Sequence, residues 1–352
     1  MSSKPKICSV VGARPQFVKA AVVSSELRKL FEETIVHTGQ HYDDNLSGAF
    51  FQELDIPLPD HNLGVGSGSH GRQTGRMLSE MERVLVEGSP DLVVVYGDTN
   101  STLAGALAAA KLHIPIAHVE AGLRSYRPGM PEEINRVLTD HISTYLFCPS
   151  RTAADNLERE GIIGKVFLVG DVMKDVLKKF LPVALAGEKI PSGKYSLLTI
   201  HREENTTDPG ILSDIFNALS AGSRRILFPL HPRTKKVIFE NSLDVPDNIK
   251  VLPPVSYLEM LGLEARAELV LTDSGGVQKE AYWLKVPCLT LREETEWVET
   301  LEGNWNVLVG HNVEKIQAAL SRAPDREKYD DGLFGTGDAA EKISAILASN
   351  VV

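Results

Sequence analysis

Residues 91–120 read DLVVVYGDTNSTLAGALAAAKLHIPIAHVE. The opening run DLVVVYG and the closing run IPIAHVE are short and β-branched, with no alternating polar residues. That is the pattern of strands buried on both faces. Between them, STLAGALAAAKLHI is built on alanine, the strongest helix former. Strand, helix and strand in this order make one βαβ unit, which belongs to a parallel sheet. Both strands of this unit end on an acid, Asp98 and Glu120.

The same rhythm extends in both directions. Upstream stand ICSVVG (7–12), a helix from about Phe17 to Phe31, TIVHTG (34–39), and a helix with apolar positions at Met77, Met81, Val84 and Leu85. Downstream, PEEINRVLTDHISTYLF reads as a helix and then a strand. Around 170–194, LKKFLPVALAGEKIPSGK mixes Pro, Gly and Lys without a long periodic stripe and reads as a break. The pattern then restarts with YSLLTIH (195–201), ILSDIFNALSAG, RRILFPLH, KVLPPV, ELVLTDSGG, VQKEAYWLK and PCLTLR.

The expected fold is therefore α/β, with two Rossmann-like, doubly wound parallel-sheet domains facing a central cleft. The expected boundaries are 1–172 for the first and 173–338 for the second, with a C-terminal helix in 339–352 packing on either one. Ligands of such sheets bind beyond the carboxyl ends of the strands.

Composition narrows the function. The 352 residues are 43% hydrophobic and 24% charged, a globular balance. A net charge of −10, from 37 basic and 47 acidic residues, is the wrong sign for a general nucleic-acid binder. Cys8, Cys148 and Cys288 each lie in an apolar run, with no CxxC or Cys/His cluster, and read as reduced core thiols. MSSKPK runs into an apolar stretch too short for a signal peptide, and no run reaches membrane-spanning length. The expected location is cytoplasmic, with no membrane partner.

The polar residues gather where strands turn into helices. In GARPQFVK (12–19), Arg14 and Lys19 beside a helix start make an anion clamp, whereas an ordinary turn would leave them as solvated charges. GxGxxG is absent, so no dinucleotide such as NAD is expected. In TDSGGVQKEA (272–281), Ser274, Gly275 and Gly276 form a small backbone nest for phosphate oxygens, and Glu280 is placed to accept ribose hydroxyls. SGG alone marks nothing more than a turn; with the clamp it gains meaning. Asp98, Glu120 and Glu132 form a carboxylate set. Burial at a strand end raises the pKa of an acid and readies it for proton transfer. Glu132 and Glu133 also suit a helix start on dipole grounds alone. His201 and His231 each close a strand and are candidates to bind pyrophosphate or to act as an acid.

Taken together, GARPQFVKA, TGQHYD, YGDTNSTLAGALAA, HVEAGLRS, MPEEINR, LTIHREEN, PLHPRTK and LTDSGGVQKEA resemble the non-hydrolysing UDP-N-acetylglucosamine 2-epimerase family over nearly the whole chain. The resemblance implies the GT-B architecture, a homodimer, and a UDP-activated 2-acetamido sugar as substrate, with no NAD and no metal. It implies UDP elimination to a 2-acetamidoglucal and re-addition with inversion at C2. Asp98, Glu120, Glu132 and His201 then match catalytic positions. Arg14, Lys19, Asn135, Arg136, His231, Ser274, Gly275, Gly276 and Glu280 match positions that hold the UDP-sugar.

Three segments depart from the family pattern. TEWVE (295–299) replaces TERPE, GARPQ replaces GTRPE, and TGQHYDDN stands where many bacterial members carry QHREM and an allosteric UDP-sugar site. The first two resemble the branch acting on UDP-2,3-diacetamido-2,3-dideoxy-glucuronate, for which loss of an acid at Gln16 suits a uronate. Both sugars stay open at this point. A GT-B glycosyltransferase, a hydrolysing epimerase and a nucleotide-sugar binding protein are the rival functions. The first-lobe carboxylates favour the epimerase.

Overall fold

The computed structural model describes residues 4–40, 53–187, 191–221 and 224–351. His41 to Asn45 of the TGQHYDDN segment lie outside them. The chain divides into two compact units, Met1–Lys178 with Gly332–Val352, and Lys179–Asp331. The sequence pattern puts the divisions after 172 and 338 instead.

In the first unit, β1 (Lys6–Val11), β2 (Glu32–His37), β3 (His61–Asn62), β4 (Leu92–Tyr96), β5 (Ile116–Val119), β6 (Tyr145–Cys148) and β7 (Lys165–Leu168) form a parallel sheet in the order β3-β2-β1-β4-β5-β6-β7. Val10 of β1 pairs with Val36 on one side and Val95 on the other, so β1 sits where the strand order reverses. In the second unit, β8 (Ser196–Thr199), β9 (Ile226–Pro229), β10 (Ile249–Leu252), β11 (Leu269–Thr272), β12 (Cys288–Thr290) and β13 (Asn306–Leu308) are parallel in the order β10-β9-β8-β11-β12-β13. Here the reversal falls between β8 and β11. Both units are thus doubly wound, and each has one switch point where its ligand crevice opens.

Unbroken apolar strands are explained by cover on both faces. Leu198, Phe228 and Leu271 pack with Ile215 and Phe216, while their neighbours Leu197, Leu227 and Val270 pack with Tyr195, Ala281 and Cys288. The three cysteines are free and buried, and burial pushes the thiols of Cys8 and Cys288 up to about 12.

The segment read as a break differs most from expectation. Val172–Ala186 is one helix that carries Pro182 inside it. Val172, Val176, Phe180 and Ala184 are all buried and recur every fourth residue. That stripe outweighs the helix-breaking residues around it. The C-terminal helix Ala339–Ala348 packs on helix Arg14–Leu30 of the first unit, with Ser344 Oγ donating to the Glu26 carbonyl. Among the described residues no helix is long and apolar enough to cross a membrane.

Candidate active site

Gly12 directly follows β1, at a position where nothing larger fits. A Cβ there would lie 2.0 Å from Ser101 Oγ and 2.1 Å from Thr38 Oγ1. The helix that follows starts at Arg14, whose side chain is exposed, and continues into buried Lys19. Gln16 is buried and fully engaged. Its Oε1 accepts the amides of Gly12 and Ala13 at 2.8 and 3.0 Å, and its Nε2 donates to the Tyr96 carbonyl and to Thr102 Oγ1 at 2.8 and 2.9 Å. Every hydrogen bond of Gln16 is used to join the ends of β1 and β4. Its neutrality is explained by this internal role and says nothing of a uronate.

At the neighbouring strand ends two acids meet two cations. Arg136 Nη2 lies 2.5 Å from Asp98 Oδ2, and Lys19 Nζ lies 2.5 Å from Glu120 Oε1. The Asp98 side chain is 27% exposed and that of Glu120 is 9%. Desolvation, the sequence argument for these acids, is therefore only half of their setting. Lys19 and Arg136, which match positions that hold the UDP-sugar, each hold a carboxylate here. Asn135 Nδ2 donates to the Asp98 carbonyl at 3.0 Å and to Asn100 Oδ1 at 3.1 Å. Glu120 itself stands at φ 73°, in the left-handed region that penalises a Cβ. Strain of this kind concentrates at functional sites.

The adjacent pair Glu132 and Glu133 separates cleanly. Glu133 is buried, accepting from Ser125 N, Ser125 Oγ and Tyr126 N at 2.9, 3.0 and 2.9 Å and from Arg136 Nη1 at 2.8 Å. It closes the loop onto the helix Pro131–Ile142. Glu132 is exposed on the same first turn, its carboxylate outside that network.

In the second unit the switch point carries different chemistry. Asp273 follows β11, is wholly buried, and accepts the amides of His201 and Arg202 at 3.0 and 2.9 Å and Asn205 Nδ2 at 3.1 Å. His201 Nδ1 lies 2.9 Å from its Oδ1. Burial alone raises the Asp273 carboxyl, but the hydrogen bond and charge of His201 together with the two amides hold it below its ordinary value. His201 is thereby oriented, and its ring centroid lies 5.7 Å from that of His231. The exposed His231 caps its own helix, Nδ1 accepting from Arg233 N at 3.2 Å.

Directly after Asp273, the half-buried Ser274, Gly275 and Gly276 open the helix Gly275–Trp283, the Ser274 amide donating to Thr272 Oγ1 at 2.9 Å. Such a helix start attracts anions. Glu280 is buried on this helix, its Oε1 accepting from Tyr257 Oη at 2.7 Å. The TEWVE departure lands beside this turn. Trp297 Nε1 is 3.1 Å from where a Cβ on Gly275 would be, and Lys279 Nζ is 3.6 Å from the Trp297 ring centroid.

Sequence reasoning missed Asp273, Glu133 and Tyr257. Asp273 obeys the rule that found Asp98, an acid at the end of a buried strand, and was readable. Tyr257 and Glu280 are far apart in sequence and meet only through folding.

Residues 25–348 match the family model described as UDP-N-acetylglucosamine 2-epimerase. A UDP-N-acetylglucosamine 2-epimerase homolog of Methanococcus maripaludis is 54% identical over 97% of this chain and 99% of its own length. The UDP-2,3-diacetamido-2,3-dideoxy-D-glucuronate 2-epimerase of Pseudomonas aeruginosa is 49% identical over 97% and 99%. Among solved structures, the Methanocaldococcus jannaschii UDP-GlcNAc 2-epimerase, in complex with UDP-GlcNAc and UDP, is 46% identical with a TM-score of 0.91, covering 98% of this chain and 100% of that one.

Proposed function

This chain belongs to the UDP-N-acetylglucosamine 2-epimerase family, and from that premise we propose that it interconverts UDP-GlcNAc and UDP-ManNAc by inversion at C2. The observation that carries the reading is the pair of strand-end acids, Asp98 and Glu120, each set against its own cation. A carboxylate paired with a cation is an anion, and so a proton acceptor.

One of these acids takes the C2 proton while the C1–O bond breaks and its electron pair leaves with UDP. The C2–H electrons become the C1=C2 double bond of a 2-acetamidoglucal. In the return step UDP adds back at C1 and an acid delivers the proton to the opposite face of C2. Two acids at neighbouring strand ends supply the two faces, the exposed Glu132 being a third candidate donor. The nest at Ser274, Gly275 and Gly276 and the His201/His231 pair hold the diphosphate and steady the departing charge. Glu280 accepts from the ribose, and Arg14 adds a cation to the phosphates. Neither NAD nor a metal enters this chemistry, so chelators leave the rate unchanged. The enzyme works as a cytoplasmic homodimer.

A second reading, the same inversion on the diacetamido-glucuronate, rests on the Pseudomonas relative. Incubating the enzyme with each UDP-sugar in heavy water and following C2 by NMR separates the two. Deuterium enters C2 of the true substrate and inversion accompanies it. No exchange into either sugar refutes the epimerase reading and leaves a binding protein, whereas turnover only with an added acceptor indicates a glycosyltransferase.

A further inference from the structure

The strand that leads to Glu120 also carries His118, which the chemistry above does not use. Its ring is wholly buried. Nδ1 lies 2.7 Å from Asp140 Oδ1, and Nε2 lies 2.7 Å from the Gly97 carbonyl oxygen. A carbonyl oxygen only accepts. Asp140 is ionised: burial pushes its carboxyl up, but the charges and hydrogen bonds of His118 and Arg124 hold it below its usual range. A ring that faces acceptors at both nitrogens donates at both.

The resulting buried charge is balanced on the spot. Arg124 Nη1 lies 2.7 Å from Asp140 Oδ2, and the same guanidinium grips Glu160 through Nε and Nη2 at 2.7 Å each. Two cations and two anions alternate, each hydrogen-bonded to the next, from the buried His118, Asp140 and Arg124 out to Glu160, whose side chain is 28% exposed, and buried charges are tolerated when paired in this way.

A buried histidine is often just a satisfied core residue. This one differs in where its network ends. His118 holds the carbonyl of Gly97, the residue before Asp98. Asp140 Oδ2 accepts the amide of Gly122, two residues after Glu120, at 3.1 Å. Gly122 is at φ 84°, and a Cβ there would lie 2.2 Å from the Ala153 carbonyl oxygen, so this turn tolerates no side chain. Glu120, at φ 73°, sits in the strained conformation between the two anchors.

We propose that His118 and Asp140 form a buried positioning pair, the ring donating at both nitrogens, that locks the Gly97–Asp98 turn and the Glu120–Gly122 turn to each other and so sets the separation of the two reacting carboxylates. Its kinetic consequence rests on the epimerase reading; its protonation does not.

The test has two arms on the full-length protein. With ¹⁵N-histidine labelling, NMR reads the ring nitrogens of His118 directly at the pH of the kinetic assay. Two protonated nitrogens are expected, and a neutral ring overturns the proposal even if every variant fails to fold. For kinetics, Asp140→Asn and His118→Gln are checked for native circular dichroism. Misplacing a reacting group by about 1 Å costs roughly 100-fold, so kcat falls by about that factor while Kd for UDP stays within about 3-fold. Folded variants that keep wild-type kcat, or that lose UDP affinity in step with kcat, overturn it. Should the wild-type protein exchange no deuterium at C2 while the ring is doubly protonated, the functional reading fails and the paired geometry stands.

Discussion

The two units share one strand order around the switch point but equip it in opposite ways. At the carboxyl ends of β1, β4 and β5 the first unit places long charged side chains in tight pairs, Lys19 with Glu120 and Arg136 with Asp98. At the ends of β8 and β11 the second unit places small residues, Ser274, Gly275 and Gly276, at a helix start, with one buried acid, Asp273, spent on orienting His201. A common topology thus supplies two crevices, and the side chains at the strand ends decide what each does. Paired carboxylates suit proton transfer; a glycine-lined helix start suits a phosphate.

If that division of labour is right, damage to each unit should show in a different constant. Asp98→Asn and Glu120→Gln should each lower kcat by roughly 10²- to 10⁴-fold, the range of general acid–base contributions, with UDP affinity nearly intact by calorimetry. Loss of UDP binding instead would merge the two roles. Ser274→Ala should do the reverse, weakening UDP by roughly 10- to 100-fold, the worth of one hydrogen bond to a charged group, with a smaller change in kcat. The native cap bond from Val277 N to Ser274 Oγ is 3.5 Å long, so little helix stability is lost with it.

Two acids of the second unit sharpen the contrast through stability. The Glu296 side chain is only 6% exposed, which alone raises its carboxyl, but the hydrogen bonds and charge of Arg292 bring it down to about 2 from 4.5. A group depressed in the folded state stabilises above its unfolded value and loses that contribution as the pH falls. Denaturant titrations should show roughly 3 kcal/mol disappearing between about 4.5 and about 2, a slope that Arg292→Gln removes. Glu264 is the opposite case, wholly buried with neither oxygen hydrogen-bonded, and burial followed by the charge of Glu280 pushes its carboxyl well above 4.5. Folding takes up a proton there, so its cost grows as pH rises above the unfolded value. Glu264→Met should therefore stabilise by about 1 kcal/mol or more at pH 8 and by much less near pH 4, measured as Tm. An equal gain at both pH values would show that Glu264 does not titrate.

Much of this was legible in advance where local pattern and chemistry agree. The unbroken apolar runs gave buried parallel strands, and the acids and glycines at their ends marked the strand-to-helix turns. The helix at 172–186 was hidden because Pro182 and the lysines drew the reading away from a stripe of one residue in four. β7 and β13, four and three residues long, are too short to show a period of their own and exist because an adjacent strand offers them hydrogen bonds.

The chain by itself determined the α/β class, the two sheets, the family and which strand ends bear reactive groups, because each is written in spacing along one backbone. Only the tertiary structure decided who holds whom: that Lys19 and Arg136 grip the acids, that Gln16 is a brace, that Glu133 is buried while Glu132 is exposed, and that Asp273 and His118 stand behind the site. Those pairings join residues as much as 101 positions apart. Their partners are chosen by which strands lie side by side and by the need of every buried charge for a counter-charge, neither of which local sequence states.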